Sequence, residues 1–190
     1  MTSPANTREF NGLTIPTPGK FDLDPAHTRV SFVARHMMVS KVRGKFTSFE
    51  GEIVTGDNPL ESSVTATVDL ASIDTGNADR DAHIRGADFF ETDTHTTMTY
   101  KSTGVRVDGD DYVLDGEITL KGITKSVPFK LEVNGFGPDA YGGVRNGFTA
   151  TGTISRADFG VDFNAAMETG GVVVGDKVTI QLEIEGVLNS

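Results

Sequence analysis

"KVRGKFTSFEGEIVT", residues 41–55, is the stretch whose reading decides the architecture. Successive strand residues point to opposite sides, so its first half sets Val42, Gly44 and Phe46 on one face and Lys41, Arg43 and Lys45 on the other. In its second half the apolar face belongs to Phe49, Gly51 and Ile53, which are odd-numbered. Parity switches within a strand only where an extra residue is accommodated, so a β-bulge is predicted at Thr47-Ser48. Fully extended, the run would reach roughly 45–50 Å at ~3.4 Å per residue, well beyond an ordinary strand. A strand that long, with glycines at 44 and 51, suits the curved wall of an elongated barrel.

The same alternation continues on both sides. Upstream, Val30, Phe32, Ala34 and His36 share one parity, and Ser31, Val33 and Arg35 take the other. Downstream come Val64 to Leu70, then Met98 and Tyr100, then Tyr112 to Leu120, all on even numbers. Val127 to Val133 alternate on odd numbers, and Phe148 to Ile154 and Val178 to Ile184 on even ones. Turn signals such as "DGDD" and "GPDAYGG" separate these runs. One-sided alternation in eight or nine strands means a closed barrel or a two-sheet sandwich. The long strands favour the barrel, so the expected fold is all-β, an elongated eight-stranded antiparallel barrel. Its inward parity mixes large residues with small ones (Ala34, Gly44, Gly51, Ala66, Gly116, Ala150, Gly152). The small ones either leave an apolar tunnel or make room for rings from the opposite wall, and parity does not choose between them.

One segment breaks the pattern. "TGNADRDAHIRGADFF", residues 75–90, is charged and helix-compatible. Asn77 suits an N-cap, Asp79 and Asp81 suit the first turn, and Gly86 suits the stop. Asp81 and Arg85 are four apart and are expected to pair on the exposed face. Two turns of helix are not stable alone, so Ile84, Phe89 and Phe90 must anchor them. The segment is read as a short helical plug closing one end of the barrel.

Bulk properties exclude several functions. At 190 residues the chain is expected to be one domain over residues 20–190, preceded by a mobile arm over residues 1–19. A net charge of −10 argues against a nucleic-acid partner and against loose attraction to an anionic membrane. Without cysteine there is no disulfide or thiolate chemistry. No run of about 18 apolar residues exists to form a membrane-spanning helix. "MTSPANTREFNGLTIPTPGK" has no apolar core of a secretory signal, so a cytoplasmic location is expected.

Five ordered stretches resemble the YceI-like family. They are "DPAHTRVSFVARHMMVSKVRGKFTSFEGEI" (24–53), "ASIDTGNADRDAHIRGADFF" (71–90), "TMTYKST" (97–103), "ITLKGITKSVPF" (118–129) and "RADFGV" (156–161). Together they span nearly the whole chain from Phe21. The resemblance implies a lipocalin-like barrel whose pore binds an amphiphile: a polyisoprenoid, a polyprenyl diphosphate, a quinone tail or a fatty-acid-type lipid. Many members have a secretory signal, which is not expected here from residues 1–20, and the chain reads "DTHTTMTY" where a proline commonly precedes the equivalent strand.

Taking that implication with the inward parity, the lipid chain is expected against Phe32, Phe46, Ile53, Ile84 and Phe90. Met98, Phe129, Phe148 and Phe163 are expected on the same lining, with His36 and Met38 near one end. Burial alone does not identify the chain. At ~0.8 kcal/mol per methylene, eight isoprene units would sum to ~32 kcal/mol, beyond the noncovalent ceiling of about 18–21. His27, His36, His83 and His95 have no H-x-H or HExxH spacing, so no metal is expected. His36 is instead expected to be an inward, hydrogen-bonded histidine. No nucleophile elbow or phosphate-cradling loop is present, and no catalytic residue is assigned. The reading is thus a lipid-binding protein without a resident cofactor, against two alternatives, an acid–base enzyme on a lipid and a ligand-free interaction module. Association into a homodimer is left open. Lys41 and Lys45 are expected in solvent, whereas Arg35 and Arg43 could face either solvent or a ligand head group. "RADFG" is expected to turn with Phe159 tucked inward.

Overall fold

The computed structural model describes residues 7–10, 13–16, 18–37, 39–109, 111–164 and 174–189. Within the segment expected to be an arm, β1 (Thr7–Phe10) and β2 (Leu13–Pro16) pair as an antiparallel hairpin. The rest is a closed antiparallel meander in which each wall pairs with its neighbour in sequence. The walls are β3–β4 (Gly19–Leu23, Arg29–His36), β5–β6 (Ser40–Phe46, Phe49–Thr55), β7–β8 (Ser63–Asp69, Ile73–Asp74) and β9 (Thr97–Asp108). They continue as β10 (Asp111–Leu120), β11–β12 (Ile123–Ser126, Phe129–Pro138), β13 (Val144–Ser155) and β14 (Val174–Leu188). The ring closes because β14, paired along one edge with β13, pairs along the other with β4 through Glu183↔Arg29 and with β3 through Gly186↔Leu23. This is the eight-stranded barrel that the alternation implied.

The parity switch lies at Thr47-Ser48, and the ladder is broken there outright. Thr47 N–H donates to the Ser72 carbonyl at 3.2 Å, and Asp69 N–H donates to the Ser48 carbonyl at 3.0 Å. A three-ten turn at Leu70–Ser72 breaks the neighbouring wall at the same level. Phe46 and Ile53, on opposite sides of the break, are both buried.

Three of the small inward residues, Gly44, Gly116 and Gly152, make room for rings. Gly44 lies under the Phe32 ring and Gly116 under Tyr100. A β-carbon on Gly152 would stand 2.8 Å from Phe129 Cδ1 and 3.1 Å from the Pro128 carbonyl. Phe129 is 2% exposed and meets Tyr100 edge-on at 5.5 Å, so it cannot step aside freely. Gly152→Ala is therefore expected to cost about 1–3 kcal/mol through overpacking, measured by urea unfolding. An unchanged midpoint would show that this layer is loosely packed.

At the end carrying the β4–β5 turn, here the upper end, β8 pairs only with Lys45 and Phe46 of β5. The chain then crosses the opening as residues 75–96. Helix α1 (Ala78–Arg85) begins with the Asn77 side chain accepting from Arg80 N–H at 3.0 Å, and Gly86 ends it by donating to the His83 carbonyl. One expectation fails. Asp81 does not pair with Arg85 but is buried, and its Oδ1 accepts the Thr75 N–H at 2.9 Å together with the Thr75 hydroxyl. The carboxylate ties the helix to the end of β8, because Thr75 offers two donors that water does not reach. "RADF" forms a three-ten turn at Arg156–Phe159 with Phe159 1% exposed, and Gly160 follows at φ 70°, a conformation natural to glycine.

Candidate functional site: two chambers and a roof

Along several walls, inward residues line an upper cavity, then a filled layer, then a lower cavity. On β10 these are Leu120, then Ile118 and Gly116, then Leu114. On β13 they are Ile154, then Gly152 and Ala150, then Phe148. The middle layer contains Val68, Ile118, Phe129 and Ala150, all buried, and Tyr100, which packs against them. The pore is divided.

The upper chamber, about 460 Å³, is walled by apolar residues of β4, β5, β13 and β14. Residues 79–90 and 159–163 roof it. Phe90 reaches Phe46 at 6.1 Å between ring centroids. His83, Phe89 and Phe163 form a ring cluster with centroids 5.1–5.3 Å apart. The lower chamber, about 500 Å³, presents more polar surface, contributed by Thr55, Ser62, Asp111, Tyr112 and Glu132.

Of the residues expected to meet a ligand, Phe32, His36, Phe46, Ile84, Phe90, Met98 and Phe163 line the upper chamber. Ile53 and Phe148 line the lower one. Phe129 lines neither, because its ring fills the layer between them. Met38 lies outside the described residues. His36 faces the upper chamber without the expected hydrogen bond: among the described residues its ring has no hydrogen-bond partner.

Arg156 was not singled out in the sequence. The inward parity of Phe148, Ala150, Gly152 and Ile154 continues to it, and that was the available signal. Its side chain is buried at the upper chamber and donates to the carbonyls of Val161 (2.9 Å), Gly175 (2.9 Å), Val174 (3.2 Å) and Phe163 (3.3 Å). Its guanidinium lies 6.0 Å from the Phe89 ring centre, within cation–π range. Among the described residues it forms no ion pair, and desolvation draws its pKa below the ordinary arginine value. Among the described residues, the buried Tyr100 hydroxyl and Asn146 amide have no hydrogen-bond partner. Burial pushes the Tyr100 phenol well above its usual range, so it stays neutral.

Among the described residues, three potential metal ligands converge elsewhere: Asp24 and His27, three residues apart, and the distant Glu185. A guanidinium already sits among them. Arg145 Nη1 is 2.6 Å from Asp24 and 3.0 Å from Glu185, and Nε is 2.9 Å from Asp139. His27 Nδ1 lies 2.9 Å from Asp24 Oδ2. The hydrogen bond from Arg145, and then that from His27, holds the Asp24 carboxyl at about 2, against its ordinary 3.8. A depressed carboxylate stabilises the fold fully above the unfolded value, and that contribution is lost as pH falls toward the folded one. The stability gap between wild type and Arg145→Met is therefore expected to narrow from pH 4 to pH 2. Carboxyl titration by NMR should return Asp24 toward 3.8 in the variant; an unmoved Asp24 would refute the pairing.

Comparison with known proteins supplies the family. The YceI-like domain model matches residues 21–186. A UPF0312 protein of Staphylococcus epidermidis is 38% identical over 168 residues, covering 87% of this chain and 96% of that one. The crystal structure of Burkholderia cenocepacia BcnA superposes with a TM-score of 0.74 at 25% identity, covering 86% of this chain and 98% of that one. A polyisoprenoid binding domain from Saccharophagus degradans, implicated in plant cell wall breakdown, shares the fold with a TM-score of 0.65 at 18% identity, covering 91% and 100%. The matched span from Phe21 to Gly186 is the closed barrel itself, and the chain belongs to the YceI-like family.

Proposed function

We propose that the protein is a binding protein, not an enzyme, and that it holds and carries one long-chain amphiphile. The tail lies in the upper chamber, and the polar end lies near Arg156, His36 and Arg80. The observation that carries this reading is an apolar chamber within the roughly 300–1,000 Å³ range of small-molecule sites, with a buried guanidinium in its wall that no described carboxylate meets in an ion pair, Asp176 and Asp162 acting on it only from longer range. A buried charge whose nearest acids do not contact it is costly, and a ligand phosphate or carboxylate would supply a direct partner. The similarity to a polyisoprenoid binding domain supports a lipid tail. A polyprenyl chain long enough to use the whole barrel must displace the Tyr100–Phe129 layer; a shorter or folded tail need not.

Organic extraction of the purified protein, followed by mass spectrometry, tests the reading. The expected result is one amphiphile class at near-stoichiometric yield, or saturable uptake of a fluorescent long-chain acid by delipidated protein. Failure of both would overturn it.

A further inference from the structure

The β4–β5 hairpin carries two features that the chamber does not use. Its tip exposes apolar side chains: Val39 is 85% exposed and Met37 is 40% exposed. Met37 also holds φ 53°, a left-handed conformation that disfavours a side chain of its kind, while Val39 N–H closes the turn on the His36 carbonyl at 3.2 Å. Below the tip, five of the chain's 17 basic residues (Arg29, Arg35, Lys41, Arg43 and Lys45) lie exposed on the same ribbon. None forms an ion pair among the described residues.

The ladder register shows where acids answer these cations. Glu183 stands across from Arg29, and Asp74 across from Lys45, both at the base of the ribbon. Near the tip, Arg35 stands opposite Lys41 and Arg43 opposite Val33. Like charges directly opposite on a sheet destabilise the pair, so this arrangement does not serve the fold. The net charge of −10 argued against an anionic surface, yet charges more than about 8 Å away are largely screened at physiological ionic strength. What the tip meets is set by the tip.

We infer that this hairpin tip docks on an anionic lipid bilayer. Met37 and Val39 enter the interfacial region, and Arg35, Lys41 and Arg43 lie among the head groups, as apolar side chains with a basic collar do at membrane surfaces. Arg35, His36 and Val42 of the same hairpin line the upper chamber, so docking sets the chamber's wall against the membrane. The contact stands on the tip alone; only its use in lipid exchange rests on the proposed function.

The chain has no tryptophan, so Val39→Trp introduces a single reporter at an exposed position. With vesicles of phosphatidylcholine containing phosphatidylglycerol, its emission should shift to the blue and the protein should co-float. Phosphatidylcholine alone, or 1 M salt, should abolish both effects. In the Val39→Trp background, Lys41→Gln with Arg43→Gln removes two surface charges and should weaken partitioning roughly 30-fold. Uptake of a fluorescent long-chain acid in solution should be unchanged, because both side chains face away from the pore. No blue shift on anionic vesicles at low salt would overturn the inference, as would equal partitioning by the charge variant. Binding to polyglutamate without vesicle binding would also overturn it and assign the patch to an acidic protein. Absence of acid uptake by the Val39→Trp protein itself, with its flotation on anionic vesicles intact, would count against the proposed function and leave the docking standing.

Discussion

Phe129→Ala is expected to lower stability by about 3–5 kcal/mol and to join the two chambers into one. The ring is 2% exposed, packs on the bare backbone of Gly152 and meets Tyr100 edge-on. Its neighbours are anchored on separate strands of a closed ladder, so the walls cannot collapse into the space it leaves. The full cavity cost therefore applies. Urea or thermal unfolding reads the stability loss, and a chain-length series of fluorescent lipids reads the geometry. The optimum should move to longer chains in the variant. A stability loss below about 1 kcal/mol, or an unmoved length optimum, would mean that the layer does not limit the pore.

The roof gives the second large effect. Phe90 lines the upper chamber, its ring lies 6.1 Å from Phe46 of β5, and its N–H donates to the Ile84 carbonyl, so the ring pins the roof to the wall while the backbone bond ties residue 90 to helix α1. Opening the chamber requires extracting that half-buried ring, worth about 1.5 kcal/mol at the low end of the full-burial range, which corresponds to an off-rate about 10-fold higher in Phe90→Ser. The strands do not depend on the residue, and the barrel should fold. Stopped-flow release of a fluorescent prenyl analogue measures the rate. An unaltered off-rate in folded variant protein would show that ligand leaves by another route.

Strand identity, inward faces and the break near Thr47 were legible because a closed barrel imposes period two on every wall. Phe32, Phe46 and Ile53 could each be placed on the inner face from their neighbours alone. Which inner residues meet across the pore was not legible. Whether Gly116 opens a tunnel or seats Tyr100 depends on strand tilt and stagger, which no single strand encodes. The division into chambers was hidden for the same reason, and with it the role of Phe129. Asp81 was misplaced because i,i+4 spacing favoured Arg85, whereas the two donors of Thr75 become neighbours only after the chain turns from β8 into the helix. Arg156 was passed over because the turn beginning there masked the inward parity of the strand before it. The convergence of Asp24, Arg145 and Glu185 spans more than 160 residues and has no local signature.

The ring is sealed by its last wall. Residues 174–188 form one edge with β13 and the other with β3 and β4, and Asn189 N–H reaches the Lys20 carbonyl at 2.8 Å. During synthesis the sheet therefore grows strand by strand as an open sheet. Its first and last walls expose unpaired edges until the final segment has left the ribosome, and such edges recruit other chains. Messages truncated shortly before residue 174 should yield aggregation-prone, chaperone-bound product rather than a slightly shorter barrel. The same closure leaves the start of β3 and the end of β14 side by side, so a circular permutant joined there and reopened at the β9–β10 turn keeps every ladder of the barrel intact.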